Sequence, residues 1–285
     1  MIGGKIVLNK KAIETLSVNA VKDSIVTSDF LDQFINENDK EPSWDGFVYI
    51  YSNKTKKKSD LKGRMAVQIK GKLCDDHTKK TISFPMSTVD LRNYLYDRGC
   101  ILFVVYIAKD GSTNKIYYIA LTPIKLRDLL KKAKSQKYKT VQLDEFPADN
   151  NKKATIFLSC LQNCQKQASF IDGKLFNLEE LEKQGILENI VIPVSGVGIT
   201  DPQTALLQNE VYLYAKVKGS SILQPIETIP RDIHTQHTIE APITIDDKVF
   251  YKNYRVVKSS NDVTIYFAKS IKMKFTENNP RCQFT

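Results

Sequence analysis

The sequence predicts an α/β layered domain with a mixed sheet flanked by helices, followed by a β-rich second domain. Over the first 170 residues, segments with apolar residues at helical spacing alternate with short aromatic and β-branched runs. Beyond residue 186, strand-like runs recur between prolines. Because 285 residues exceed the usual size of one domain, we predict two, residues 1–170 and 171–285.

The first domain is expected to begin with helices and continue with strands. Apolar residues of 9–23 lie at helical spacing, and a shorter apolar pattern at 30–35 suggests a second helix. The aromatic and β-branched segment 47–51 predicts a strand. Alternation in 64–72 and the short run 81–84 predict two more strands, after a Lys-rich connection.

In the remainder of this domain, predicted helices and strands alternate again. An amphipathic helix is expected over 87–98, with Ser87 or Thr88 as its N-cap and Gly99 at its end. The continuous apolar run 100–108 indicates a strand buried on both faces, and 116–121 follows it after a glycine-containing turn. Helices are expected from Pro123 to Ala133 and over 152–168.

Composition favours a soluble, cytoplasmic protein. No apolar run approaches the roughly 18–20 residues that span a membrane, and the first residues lack the pattern of a signal peptide. The five cysteines are scattered, which excludes a disulfide framework. Cys160 and Cys164, one helical turn apart, are expected to be buried as small apolar side chains.

The net charge of +10 is unevenly distributed. Residues 1–170 hold 29 Lys and Arg against 18 Asp and Glu, whereas 171–285 hold 13 against 14. A basic domain attracts polyanions such as nucleic acid, although a Lys-rich surface also serves solubility alone.

A group of polar residues is expected to meet at one end of the first two strands. Asp45 precedes the first strand, and Gln68 and Lys70 lie two apart on the second, so they share a face while Ile69 points into the core. Mg²⁺ or Mn²⁺ takes oxygen ligands, which Asp45, the Gln68 amide and the Ile69 carbonyl supply. Glu14, on the first helix, is a further candidate ligand or orients the attacking water. Lys70 suits stabilisation of charge on a phosphate.

The same residues carry a resemblance to a known family. Asp-Gly before a strand and Gln-x-Lys on the next resemble the site pattern of the PD-(D/E)XK, restriction-endonuclease-like superfamily, in the variant with Gln in place of an acid. Over about residues 8–140 the sequence resembles a bacterial branch of this superfamily that has no known function and is associated with anti-phage defence. The matching stretches are residues 42–46, 67–71, 101–107 and 116–118.

The resemblance implies the α-β-β-β-α-β core of that fold and Mg²⁺-dependent cleavage of DNA. Asp45, Gln68 and Lys70 then take the motif positions, and Glu14 the less constant acid of the first helix. Because Gln68 is neutral, the resemblance also implies weak metal binding that the substrate phosphate completes.

Double-stranded DNA is the expected partner, with a homo-oligomer or a further defence subunit as additional ones. Two alternatives remain open: a non-catalytic nucleic-acid-binding or assembly module, and an RNA-cleaving nuclease. The predicted phosphate contacts are Lys54, Lys56, Lys57, Lys58, Lys62, Arg64 and Lys72.

Overall fold

The computed structural model describes residues 8–36, 43–173, 175–198, 201–230, 233–260, 262–267, 271–276 and 279–284. The chain forms two compact units. The first unit comprises Met1–Gly198 and Tyr212–Thr228, and the second comprises Ile199–Val211 and Ile229–Thr285. The domain boundary between residues 170 and 171 stays a prediction.

The first unit is a mixed α/β structure built on a seven-stranded sheet. The sheet strands are β1 Leu31–Ile35, β2 Gly46–Tyr51, β3 Leu61–Leu73, β4 Thr81–Ser87, β5 Cys100–Ile107, β6 Asn114–Leu121 and β7 Tyr138–Glu145. Their order is β1-β2-β3-β5-β6-β7-β4, in which β3 and β5 run parallel and the other neighbours antiparallel. The helices of this unit are α1 Lys10–Val26, α2 Thr88–Tyr96, α3 Pro123–Ala133, α4 Asn150–Gln167 and α5 Leu178–Lys183.

Two apolar cores cover the two faces of the large sheet. Val18 and Val21 of α1 and Phe157 of α4 pack on one face, while Leu91 of α2 and Leu126 of α3 pack on the other. Strand β5 alternates between these cores and is buried along its whole length, which confirms the predicted strand buried on both faces. Each fully buried aliphatic side chain of this kind contributes about 1.5–3 kcal/mol to folding.

The helix ends follow the predicted signals. The side chain of Ser87 accepts from the Val89 N–H at 3.2 Å as the α2 N-cap, and Pro123 opens α3. At the C-terminal end of α1, a carbonyl of the last turn is capped by a side chain of another helix: the buried Lys153 of α4 donates to the Ser24 carbonyl at 2.7 Å. Cys160 and Cys164 are buried on α4, as expected.

The short helix expected at 30–35 is wrong. The segment is β1, which pairs antiparallel with β2 from Leu31 opposite Ile50 to Ile35 opposite Gly46. Only Leu31 and Ile35 are buried among its five residues. A run this short forms too few helical hydrogen bonds to be stable, whereas pairing with β2 satisfies its backbone groups.

Smaller β elements complete the chain. The first unit also holds a three-stranded sheet of β8 Leu187–Val191, β9 Tyr214–Val217 and β10 Gln224–Pro225. The second unit begins with helix α6, Pro202–Gln208. Its sheet has the order β11-β14-β15-β16-β17, and β12 and β13 form a separate hairpin. Their bounds are β11 Thr235–Ile239, β12 Ile243–Ile245, β13 Lys248–Tyr251, β14 Tyr254–Lys258, β15 Asp262–Tyr266, β16 Ile271–Thr276 and β17 Asn279–Phe284.

No helix in the described part of the chain combines the length and apolarity needed to cross a membrane.

Candidate functional site

Asp45 lies immediately before β2, beside the part of β3 that β2 does not cover. Its N–H donates to the Val67 carbonyl at 3.0 Å, and its carbonyl accepts from the Asn36 N–H at 2.9 Å. Because Gly46 pairs with Val67 in the antiparallel register, Asp45 stands opposite Gln68. The structure therefore brings together the two residues that strand geometry placed side by side.

Gly46 explains why glycine follows the aspartate. Its φ is +144°, and a Cβ built there would lie 2.2 Å from the Phe34 carbonyl oxygen and 2.7 Å from the Ile35 Cα. Both atoms belong to the backbone of β1, which cannot yield as a flexible side chain would. A larger residue at this position would push β1 and β2 apart and displace the neighbouring carboxylate.

The side chains of Asp45 and Gln68 are in direct contact. Gln68 Nε2 donates to Asp45 Oδ2 and lies 3.4 Å from the Ile69 carbonyl oxygen. On the other side of the amide, Gln68 Oε1 accepts from the Tyr94 hydroxyl at 3.4 Å. Gln68 is only 4% exposed, so its amide is held within the fold and not on a solvent face.

The backbone of Ile69 faces the same space. Its N–H donates to Asp45 Oδ2 at 2.5 Å, and within a strand the N–H and C=O of one residue point to the same side. The Ile69 carbonyl is therefore directed towards the carboxylate. Its side chain is buried in the core packed by α1, as the alternation predicted.

Charged groups around Asp45 oppose one another. Burial raises the pKa of Asp45, and the nearby carboxylate of Glu14 raises this pKa further. The Ile69 N–H, the Lys70 ammonium and the Gln68 amide act in the opposite direction. Glu14 from α1 and Lys70 from β3 thus both come close enough to act on the same carboxylate, although both are exposed.

Helix α1 brings Glu14 near by packing tightly on β3. A Cβ at Gly71 would lie 2.2 Å from Ser17 Oγ and 2.8 Å from Ile13 Cγ2, so the helix rests on the strand at the only residue type that leaves room. Ile13 immediately precedes Glu14. The close approach at Gly71 therefore fixes the distance between Glu14 and β3.

The donor set is compatible with a hard divalent cation. Two carboxylates, Asp45 and Glu14, and the Ile69 carbonyl are oxygen donors of the type that Mg²⁺ and Mn²⁺ bind. Within the described ranges no three His, Cys, Asp or Glu side chains are grouped as a metal site, and this set holds only two. Gln68 presents nitrogen to Asp45 and completes the set only after its amide rotates by half a turn.

Tyr94 is a residue of the site that the sequence did not reveal. It lies on the apolar face of α2 and is fully buried. Its hydroxyl reaches Gln68, while its ring packs edge-on against Trp44 with 6.3 Å between centroids. No pattern in the sequence relates Tyr94 to Gln68, because the contact depends on how α2 packs on the sheet.

Helix α2 also holds the segment before Asp45. Asn93 Nδ2 donates to Ser43 Oγ at 3.0 Å, and Ser43 Oγ lies 3.4 Å from Asp90 Oδ1. Ser43 itself has a φ of +79°, a conformation that needs such support.

Basic side chains flank Gln68 along β3. Residues two apart share a face, so Arg64, Lys70 and Lys72 follow the same side of the strand as Gln68. Lys62 lies at an irregularity of the β2–β3 register, where Ile50 pairs with Gly63 and Tyr51 with Leu61. Arg64 stacks on Phe47 with 4.2 Å to the ring centroid, and Lys72 lies 5.6 Å from the centroid of Tyr106. Arg64 and Lys72, two of the predicted phosphate contacts, therefore lie in one row with the site.

The remaining predicted phosphate contacts lie on the β2–β3 connection, six residues and about 20 Å along β2 from Asp45. Two of them already have partners: Lys54 pairs with Asp29 at 2.8 Å, and Lys56 donates to the Leu31 carbonyl at 2.5 Å. Lys57 and Lys58 are exposed. An exposed pair such as Lys54–Asp29 is weak in water and yields easily to a phosphate.

Comparison of the chain with models of protein families, with characterised proteins and with solved structures gives no match.

Proposed function

We propose that the first unit is a restriction-endonuclease-like, metal-dependent nuclease that cleaves DNA. The observation that carries this proposal is the convergence of Asp45, Gln68 and the Ile69 backbone at the open edge of β3, with Lys70 beside them. The row of basic side chains on β3 supports it, since it gives a strand of nucleic acid a path across the site.

Each residue has a distinct role in the proposal. Asp45, Glu14, the Ile69 carbonyl and the rotated Gln68 amide would hold Mg²⁺ or Mn²⁺, which supplies Lewis-acid chemistry at the phosphate when bound. Lys70 places its ammonium near the phosphate oxygens and offsets the negative charge that increases as the bond breaks. Glu14 accepts a hydrogen bond from the attacking water and orients it. The assignment to anti-phage defence rests on the sequence resemblance alone.

The experiment is cleavage of supercoiled plasmid with Mg²⁺ or Mn²⁺. We expect Asp45→Asn and Lys70→Met to lose about 100-fold or more in rate, because each removes a group that acts on the phosphate or its metal. Lys183→Met, an exposed lysine of α5, is the matched control and should cleave as the wild type does. Equal cleavage by all four proteins would refute the assignment.

One observation favours the non-catalytic alternative. The Gln68 amide nitrogen, not its oxygen, faces Asp45, so the side chain fills the space between the proposed oxygen ligands. A module that only binds nucleic acid would keep this arrangement. Titration calorimetry with Mn²⁺ decides between the two: binding that is lost in Asp45→Asn supports the nuclease, and absence of binding to the wild type supports the module. Incubation with single-stranded RNA transcribed from the plasmid, under the same metal conditions, tests the RNA-cleaving alternative by whether the RNA is cleaved.

A further inference from the structure

A cavity of about 470 Å³ lies next to the proposed site in the first unit. Its walls come from β2, β3, the end of α2 and α4, and include Phe47, Arg64, Ala66, Asp97, Arg98 and Leu161. This volume falls within the range of ligand cavities and accommodates one nucleotide. We call it the base pocket.

The base pocket begins two residues along β2 and β3 from Asp45 and Gln68. Phe47 pairs with Ala66, and the next pair along the strands on the same face is Asp45 opposite Gln68. Two residues of a strand span about 7 Å, which is comparable to the separation of neighbouring phosphates in an extended nucleic-acid strand. A strand with one phosphate at Lys70 and Asp45 therefore places an adjacent nucleotide at the base pocket.

The chemistry of the walls suits a nucleotide. Leu161 and Cys164 provide an apolar floor, and Phe47 adds an aromatic ring. The charged groups are two arginines and one carboxylate: Arg64, Arg98 and Asp97. Their sum leaves one positive charge, which complements one phosphate, while the apolar floor and the aromatic ring complement a base.

The C-terminal end of α2 forms the rim of the base pocket. Arg98 has a φ of +68°, and Gly99, at +122°, follows it. A Cβ on Gly99 would lie 2.5 Å from Cys164 Sγ, so the end of α2 is pressed against α4 to form this wall. Arg98 occupies the position after the C-cap of α2, where the Arg98 N–H donates to the Leu95 carbonyl at 3.1 Å and the Gly99 N–H donates to the Tyr94 carbonyl at 2.8 Å. This helix-ending motif accounts for the left-handed backbone and holds Arg98 at the rim of the base pocket.

From these observations we propose that the base pocket binds an unpaired nucleotide next to the scissile phosphate. This inference rests on the proposed function, and it narrows the substrate to DNA that is single-stranded or locally opened. A base within an intact duplex reaches such a pocket only after it leaves the stack, which costs free energy. The same chemistry would also accept a free nucleoside monophosphate. The test must therefore distinguish a nucleotide within a DNA strand from a free one.

The test measures binding without cleavage. Fluorescence anisotropy follows the wild-type protein in EDTA, where a metal-dependent nuclease does not cleave, with a labelled single strand, its duplex, and the duplex with a central unpaired bubble. We expect single strand and bubble to bind about tenfold more tightly than duplex. In the same background, Arg98→Asn tolerates the left-handed backbone, and Phe47→Leu keeps an apolar side chain. Each should remove most of this preference.

Arg92→Gln is the matched control, because Arg92 is exposed on α2 and does not line the base pocket. It should retain the preference, and circular dichroism should show that all variants are folded. Equal affinities for duplex and single strand, or identical behaviour of Arg98→Asn, Phe47→Leu and the control, would overturn the proposal. The proposal would also be overturned if Arg98→Asn lost binding of dAMP but bound every oligonucleotide as the unsubstituted protein does. The ligand of the base pocket would then be a free nucleotide.

The failure of this inference is distinguishable from failure of the nuclease assignment. If the wild type cleaves DNA but the pocket variants bind every substrate as the control does, only the base pocket proposal is wrong. If the strand preference depends on Arg98 but the wild type never cleaves, the base pocket stands as a nucleotide site and the nuclease assignment is wrong.

Discussion

Gln68 determines how the proposed site behaves without a metal. A neutral amide can donate to Asp45, whereas a glutamate at the same position would place a second buried carboxylate against it. The amide therefore keeps the carboxylate satisfied in the absence of a cation, at the cost of one negative ligand. Its other end meets the Tyr94 hydroxyl, which can donate to the oxygen or accept from the nitrogen, and so tolerates both orientations of the amide.

Gln68→Glu tests this role directly. Two facing carboxylates repel each other, so we expect a lower melting temperature than the wild type in EDTA. We also expect at least about tenfold tighter Mn²⁺ binding by calorimetry, because the site gains a negative ligand. Gln142→Glu, on an exposed part of β7, serves as the control for the change of charge. Unchanged Mn²⁺ affinity in Gln68→Glu would contradict the ligand role of this position.

Lys153 gives a prediction about pH. Burial lowers its pKa, and its ammonium donates to the Ser24 carbonyl at the end of α1. The folded state then binds fewer protons than the unfolded state at pH values between the lowered pKa and the ordinary value of 10.5. The free energy of unfolding contributed by this group therefore rises with pH across that alkaline window.

The measurement compares the wild type with Lys153→Met by urea unfolding at a series of pH values. We expect the variant to lose about 1–3 kcal/mol at neutral pH, because the Ser24 carbonyl and Asn150 Oδ1 both lose a charged donor. The difference between the two proteins should grow as pH rises towards 10.5. A difference that stays constant or shrinks with pH would show that the folded state does not depress this pKa.

At the scale of elements, the contact of α1 with β3 positions Glu14 beside Asp45. Gly71→Ala places a methyl group where Ser17 Oγ now lies, so we expect about 1–3 kcal/mol of destabilisation and weaker Mn²⁺ binding as Glu14 moves away. Adding Ser17→Ala removes the closest clash and should restore part of both. Gly173→Ala, whose Cβ would meet no atom nearer than 3.9 Å, is the neutral control.

The elements also show what the sequence can predict. The helix over 87–98 has an amphipathic pattern of helical period, and the apolar run 100–108 is short and rich in β-branched and aromatic residues; both predictions are confirmed. The segment 30–35 is too short for its period to decide, and pairing with β2 makes it a strand. Strand β7 was not predicted, since only Val141 and Leu143 are buried in it and its main partner, β4, lies far away in the sequence.

The same limit applies to the site. Strand alternation and register sufficed to place Asp45 beside Gln68 and to align Lys70 with it. The direction of the Gln68 amide and the contact with Tyr94 depend on the packing of α2, which has no signature in the strands. Contacts made between neighbouring strands are thus predictable from spacing, whereas those made across layers require the fold.

Over the whole molecule, the excess positive charge is confined to residues 1–170 and forms two clusters, one on the connection before β3 and along that strand, the other in and after α3. If Lys57, Lys58 and Lys62 each neutralise a phosphate, changing all three to Gln should lower the slope of log affinity against log salt by about 2.7. The control replaces Lys183, Lys216 and Lys218 of the first unit. An equal loss of slope in both triple variants would assign the effect to net charge alone.

The order of the large sheet has a consequence for synthesis on the ribosome. Strand β4 ends the sheet, and its strand partner is β7, with fifty residues, 88–137, between them. A nascent chain therefore carries β4 with an unpaired edge until β7 emerges, whereas β1, β2 and β3 find one another as soon as residue 73 has left the exit tunnel. We therefore expect the half of the sheet that bears Asp45 and Gln68 to assemble first. The opposite edge is the place where a slowed or truncated chain is exposed to wrong pairing.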